Sequence, residues 1–239
     1  MSWIQELAPS GILRVCINTG NALLAQQDPH THELRGISVM LAERLAHAYE
    51  LQLHTVLVNT AKASVAAVAN KEADIGFFAI DPERAKDVHF TRAYVYIDAC
   101  YMTRKSSGLN HLQDIDRAGV RIVVGAGSAY DLFLSRHVQH ASIIRAASTP
   151  DVVPLFAYQG YEVAAGLQQA LNDEVQAHPE WALVTPPFMA IPQAMGCHPK
   201  HSEDAKEGLQ AFIDDRLKAG QIADSITQQN LMGVRAANV

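Results

Sequence analysis

The stretch Ala73-Asp74-Ile75-Gly76-Phe77-Phe78-Ala79-Ile80-Asp81-Pro82-Glu83-Arg84 carries the reading of the fold. Ile75 to Ile80 is a continuous apolar run between charged residues. A strand with one wet face alternates apolar and polar side chains, so an unbroken run of this length marks a strand covered on both faces. Asp81 and Pro82 then close it. An aspartate can cap orphan helix amides, and proline fits a first helical position where no amide bond is lost, so a helix is predicted from there. Upstream, Gly11 to Asn18 reads as a strand, and Gly36 leads into a helix with Val39, Leu41, Leu45, Ala48 and Tyr49 on one side. Leu53 to Val58 is a second strand and Ser64 to Asn70 a short helix. Strand, helix, strand, helix, strand is the order of a parallel α/β sheet.

Downstream the pattern runs on and then restarts. Val95 to Thr103 is strand-like, and Val120 to Val124 is a β-branched strand ending in the turn Gly125-Ala126-Gly127-Ser128. Ser128 and Asp131 stand at capping-box spacing before a helix, with aspartate in place of the usual glutamate. Ile143 and Ile144 mark a short strand, Thr149-Pro150-Asp151 starts a helix that Gly160 ends, and Val163 to Leu167 is a buried strand. Leu183 to Ile191, broken by Pro186 and Pro187, reads as a non-helical connector. The tail holds a helix from Glu203 to Leu217 and a final short helix through Ile222, Ile226 and Leu231, with no strand set of its own. The expectation is two α/β lobes. Residues 1–104 and 191–239 form lobe 1 and residues 105–190 lobe 2, with a hinge crossed twice and a ligand cleft between them.

Composition bounds the function classes. The 239 residues are 49% hydrophobic and 18% charged, which is a globular composition able to bury about 70–75% of its extended surface. The formal net charge is -6 and no basic run occurs, which argues against nucleic acid or an anionic membrane as partner. Three cysteines without CxxC spacing give neither a disulfide framework nor a zinc site. The opening MSWIQELAPSG has no basic region followed by an apolar run, and no stretch reaches membrane-spanning length. The expected location is therefore periplasmic if a signal peptide has been removed, and cytoplasmic if this is the complete encoded chain. No direct membrane insertion is expected.

Arg84 is the leading binding candidate. It follows a buried strand, where an open α/β sheet places ligands, and a guanidinium there can grip a carboxylate through two parallel hydrogen bonds. The plain alternative is a surface pair with Asp81, Glu83 or Asp87. The Gly125–Ser128 turn is the second candidate, because glycines allow close approach and helix-start amides and a hydroxyl favour an anion. It lacks the Gly-Lys-Ser/Thr ending of a phosphate loop and the three glycines of a dinucleotide fingerprint; a plain turn with a cap explains it nearly as well. Asn18 to Asn21 end the first strand and can line the same crevice as Arg84. Gln168 can offer an amide, and Phe77, Phe78 and Tyr130 can pack on a ligand, with core packing the competing role for both phenylalanines. The eleven histidines form no HExxH or paired ligand spacing, and no GxSxG elbow occurs. No metal, cofactor or catalytic residue is assigned.

Several segments, in order, resemble the bacterial extracellular solute-binding proteins, family 3, of the type II periplasmic-binding fold. Gly11-Ile12-Leu13-Arg14-Val15 resembles the opening strand. Leu34 to Ala42 resembles the "G-F-x-x-D-L-A" helix entry, with Ser38 and Met40 as departures. Ala73 to Ala85 and Val88 to Tyr94 resemble the central "T-x-E-R…F-S-x-P-Y" segment, and Val120 to Ser128 the "V-x-V-x-x-G-T/S" of the second lobe. The resemblance implies that Arg84 and Ser128 bind a ligand α-carboxylate. It also implies an ABC permease as partner, with uptake or sensing of a small amino acid or organic carboxylate as the role. Other positions depart from the pattern. Gln168 stands for an acidic group, Asn21 for a first-loop aromatic, and Gly76, Phe77 and Ala79 for residues that include hydroxyl bearers. Loss of a carboxylate leaves an ammonium poorly compensated. The expected ligand therefore lacks an α-ammonium or has an apolar body facing Phe77 and Phe78. The alternative is a cyclohexadienyl or arogenate dehydratase-like lyase, which His178-Pro179-Glu180-Trp181 resembles. Leu171 stands near the place of that branch's catalytic glutamate, with Asp173 and Glu174 following, and non-catalytic binding is the expectation preferred.

Overall fold

A computed structural model describes residues 2–238. In chain order the elements begin α1 (Trp3–Leu7), β1 (Ile12–Asn18), β2 (Gln26–Gln27), β3 (Leu34–Arg35), α2 (Ile37–Ala48), β4 (Gln52–Val58), α3 (Ala61–Ala69), β5 (Ile75–Ala79) and β6 (His89–Arg104). They continue β7 (Arg121–Gly125), α4 (Ala129–His137), β8 (Ser142–Ala146), α5 (Val152–Gln159), β9 (Val163–Leu167) and α6 (Gln168–Ala177). The chain ends with β10 (Trp181–Cys197), α7 (Glu203–Lys218), α8 (Gln221–Gln228) and β11 (Val234–Ala236). The chain divides into two compact units. Among the described residues, unit 1 is residues 2–96, 192–231 and 235–238, and unit 2 is residues 97–191 and 232–234.

In unit 1, β1 pairs in parallel with β4 and with β5, and β10 pairs antiparallel with β5. The β5 run is buried at every residue, as its unbroken apolar character requires. Cys16, Ala67, Val68, Ala73, Phe78 and Val88 form one buried cluster there, with Val56, Val58, Val65 and Phe90 packed on it. Thr60 caps α3 by accepting the Ala63 amide at 3.1 Å. Helix α1 packs on α7. Glu6 accepts the Ser202 amide at 2.8 Å, the Ser202 hydroxyl at 2.5 Å and contacts His201 Nδ1 at 3.0 Å.

Unit 2 repeats the logic. β7 pairs in parallel with β8 and β9, and β9 pairs antiparallel with β6. Cys100, Met102, Val123, Val152, Phe156, Ala164, Leu171 and Trp181 are among its buried cluster. Arg104 donates to the carbonyls of Tyr161 and Phe156 at 2.6 and 3.1 Å and lies over the Phe156 ring at 4.3 Å, which ties β6 to the end of α5. The segment 232–234 belongs here too: Met232 donates its amide to Gln169 Oε1 at 2.9 Å, and Asp98 to the Gly233 carbonyl at 2.7 Å.

Three local expectations are corrected. The helix expected after Pro82 is only a 3-10 turn, Arg84–Lys86, because β6 claims the chain from His89 onward. The connector expected over Leu183 to Ile191 is part of the long strand β10, with a cis Thr185–Pro186 peptide within it. The tail after residue 191 does contribute strand: Gln193 to Cys197 pair with Ala79 to Ile75, and β11 pairs with β6.

Candidate anion-binding sites

Parallel neighbours end on the same edge of a sheet, so the topology of unit 1 brings the loops after β1 and β5 together. After β1, Asn18 Oδ1 accepts the Gly20 amide at 3.0 Å, and Thr19 bonds the Val58 carbonyl through its hydroxyl at 3.2 Å. Gly20 is required here: a Cβ would lie 2.1 Å from the Asn59 carbonyl oxygen. Asn21 follows, its carbonyl accepting the amides of Leu24 and Ala25 at 3.0 Å each. Its Oδ1 is buried with no hydrogen-bond partner, an acceptor taken from water without compensation.

After β5, Asp81 Oδ1 accepts the Glu83 amide at 2.9 Å. Arg84 then turns back, its Nη1 donating to the Ala79 carbonyl at 3.1 Å. Arg84 is only 7% exposed, and Asp81, one of the partners that sequence allowed, lies near enough to favour its charge. Burial pushes against its charge, and the nearby Asp81 carboxylate restores part of the balance. A guanidinium at a strand's carboxyl end can grip a carboxylate through two parallel hydrogen bonds. Ala79 supplies its carbonyl to Arg84. Phe77 meets Tyr94 edge to face at 6.0 Å between ring centres. Phe78 packs in the unit 1 cluster beside Phe90, and its ring is what leaves room only for glycine at Gly76. Tyr94 and Ser38, both buried, bring their hydroxyl oxygens within 3.4 Å, a pairing that sequence did not single out.

In unit 2 the ends of β7, β8 and β9 share one edge by the same rule. Ser128 caps α4, its Oγ accepting the Asp131 amide at 3.1 Å. The expected reciprocal bond is shifted by one residue: Asp131 Oδ2 accepts the Gly127 amide at 2.8 Å. Gly127 has φ +70°, a backbone state that an L side chain resists. Asp131 Oδ1 also accepts from Ser135 Oγ at 3.2 Å and from Arg145 Nε at 3.0 Å, and Arg145 Nη2 reaches Ser135 Oγ at 2.7 Å. Tyr130, 2% exposed, has a hydroxyl with no hydrogen bond of ordinary geometry. Burial raises its pKa, and Thr149, Ser128 and Gly125 moderate that push, which places them around it. Arg145 is a residue that the sequence reading missed. Its only signal was a lone cation in the short strand Ser142–Ala146.

Gln168 begins α6, and its side chain lies against the Gly233 backbone, where a Cβ would sit 2.6 Å from Oε1. Leu171, near the place of the lyase branch's acid, is 2% exposed in the unit 2 core and packs over Gly166. His178 stacks on Trp181 at 4.1 Å, and Trp181 meets Phe156 edge to face at 5.3 Å, so the His178–Trp181 segment has a packing role. Among the described residues no group of three histidine, cysteine or acidic side chains could hold a metal. Cys197 is buried, which pushes its thiol to about 12, away from nucleophile chemistry.

Each unit thus carries an edge where parallel strands end together, after β1 and β5 in unit 1 and after β7, β8 and β9 in unit 2. The chain belongs to the bacterial extracellular solute-binding proteins, family 3, whose model matches residues 13–229. Among solved structures it is similar to the solute receptors for L-cysteine of Neisseria gonorrhoeae, at 15% identity and TM-score 0.81, covering 100% of both chains. It is similar to the P235GK mutant of ArgBP from T. maritima, at 18% identity and TM-score 0.77, covering 95% of this chain and 98% of that one. An ancestral amino acid-binding protein described as a precursor of cyclohexadienyl dehydratase is similar at 17% identity and TM-score 0.77, over 95% and 99% of the two chains. At these identities the likeness shows the fold, the mixed α/β fold of the two-lobed periplasmic binding proteins. No curated protein matches the chain. Among the described residues no helix is long and apolar enough to cross a membrane.

Proposed function

We propose that the protein captures a small amino acid or a closely related carboxylate for ABC-type uptake or sensing in the cell envelope, with a permease as its partner. The observation that carries this reading is the buried Arg84 at the carboxyl edge of β5, its Nη1 held 3.1 Å from the Ala79 carbonyl. The solute's carboxylate docks on Arg84. Asn21 Oδ1, buried without a donor, suits an ammonium or hydroxyl on the solute. This acceptor supports an amino acid more than the ammonium-free ligand expected from the Gln168 replacement. Solved structures of the fold with bound L-arginine or lysine, and receptors for L-cysteine, support the same solute class. The Ser128 turn is proposed as a further carboxylate contact and Gln168 as an amide contact. Phe78 is left to the core of unit 1. The lyase alternative is weaker, because Leu171 gives that chemistry no acid.

The test is calorimetric and thermal-shift titration of the protein with the twenty L-amino acids and their 2-hydroxy and 2-oxo counterparts. The expected result is saturable binding of a small subset, the amino form preferred over its oxo form, and loss of that binding in Arg84→Ala. Preference for the oxo or hydroxy form would refute the role of Asn21, and unchanged binding in Arg84→Ala would refute the Arg84 assignment.

A further inference from the structure

The Asp131 carboxylate lies directly behind the turn that is proposed to receive an anion. It accepts the Gly127 amide at 2.8 Å and anchors the helix that Ser128 caps, yet it is 4% exposed. An ionised carboxylate in that position repels a second carboxylate arriving at Ser128, and it does so most strongly where water is excluded. Arg145 answers that charge from β8, with Nε 3.0 Å from Oδ1 and 3.2 Å from Oδ2 of Asp131. Ser135 bridges the pair, donating to Asp131 at 3.2 Å and accepting from Arg145 at 2.7 Å. The network has a second consequence for Ser128. With its Oγ already accepting the Asp131 amide, the serine hydroxyl is left to present its proton as a donor. The adjacent Tyr130 hydroxyl is buried at the same turn, among Thr149, Ser128 and Gly125.

We infer that Arg145 is a charge-cancelling positioning residue for solute binding: it neutralises Asp131, so that Asp131 can hold the Gly127–Ser128 turn without repelling the solute's carboxylate. Arg145 touches no solute in this scheme. It acts through Asp131. The inference rests on the reading that the Ser128 turn contacts the carboxylate, and it adds the residue that makes the turn tolerant of negative charge.

The experiment uses the full chain and the panel of twenty L-amino acids as probe, followed by titration of the member that the unaltered protein binds most tightly. Arg145→Ala should weaken that binding about tenfold, the size expected of one uncompensated charge close to a bound carboxylate. Asp131→Asn keeps an acceptor for Gly127 and removes the charge, so the double variant Arg145→Ala with Asp131→Asn should recover to within about threefold of the unaltered protein. Arg145→Lys should retain most of the affinity. A purely structural role predicts the opposite for the double variant, since removing both anchors of the turn should compound the loss. Arg145→Gln replaces Arg145→Ala if the alanine variant does not fold. Binding unchanged in Arg145→Ala, or a double variant as weak as the single, overturns the inference. Ser128→Ala separates the two levels. If Ser128→Ala weakens binding while Arg145→Ala does not, the inference fails and the turn's role stands. If Ser128→Ala leaves binding intact, or no panel member binds the unaltered protein, the reading beneath it fails as well.

Discussion

The Arg84 edge of unit 1 and the Ser128 turn of unit 2 handle charge in opposite ways. At the first, a guanidinium is buried against a strand carbonyl, with Asp81 offsetting only part of the cost of burial. At the second, the charges cancel each other: Asp131 and Arg145 pair at 3.0 Å, and the turn itself is a buried capping serine and a glycine-rich backbone. On the proposed reading, one region attracts an anion by charge, and the other accepts it by geometry. The two should therefore respond differently to substitution, salt and pH.

The largest expected effect lies at Arg84. Arg84→Ala should lose at least about 2 kcal/mol of solute affinity, because a buried charge pair loses one partner. Arg84→Lys should recover only part of this, since a lysine cannot reproduce a two-point grip. Calorimetric titration checks both, and full recovery by lysine would reduce the Arg84 contribution to charge alone. Ser128→Ala should cost less, about 1 kcal/mol, near the worth of one hydrogen bond. That variant should also destabilise α4, because loss of a serine N-cap costs about 0.5–2 kcal/mol. Thermal unfolding with and without solute separates the two contributions. An effect at Ser128 exceeding that at Arg84 would invert the assignment of charge to unit 1.

Legibility in the sequence followed how local each cause was. The buried strands β1, β5, β7 and β9 were readable because an apolar run is itself the cause of a doubly covered strand. Ser128 was readable because its bond to the Asp131 amide spans three residues. Strand β10 was not. Its prolines read as interruption, and its pairing with β5 joins residues over a hundred positions apart, for example Gln193 with Ala79. The helix expected after Pro82 failed for a related reason: local signals favoured it, and the start of β6 at His89 overrode them. At the site, Arg84 could be placed by its position after β5, while its burial and its grip on Ala79 could not. Arg145 was invisible, since its meaning depends on Asp131 lying opposite it on another element.

The smallest expected effect is one of stability, and the chain's two tryptophans suit its measurement, because Trp3 lies in unit 1 and Trp181 in unit 2. Glu6 accepts the Ser202 hydroxyl and amide and contacts His201, and these bonds hold its carboxyl at about 2, below the ordinary 4.5. A folded-state value below the unfolded one stabilises above pH 4.5, and that contribution is lost as pH falls toward 2. Glu6→Gln should therefore lower the unfolding midpoint near neutral pH and converge with the unaltered protein as the pH approaches 2. The location of the effect is as diagnostic as its sign. Trp3 packs edge to face on Tyr49 at 5.0 Å and lies where a Cβ on Gly208 would meet its ring, so its emission reports the docking of α1 on α7. Trp181 sits in the unit 2 cluster against Phe156. In Trp181→Phe protein the Glu6→Gln substitution should shift the urea transition seen by Trp3, and in Trp3→Phe protein it should leave that seen by Trp181 nearly in place. Equal shifts at both tryptophans would mean that the units unfold as one cooperative body. The charge stored at Arg84 and the charge cancelled at Asp131 would then draw on a single stability, and effects measured in one unit would have to be counted in the other.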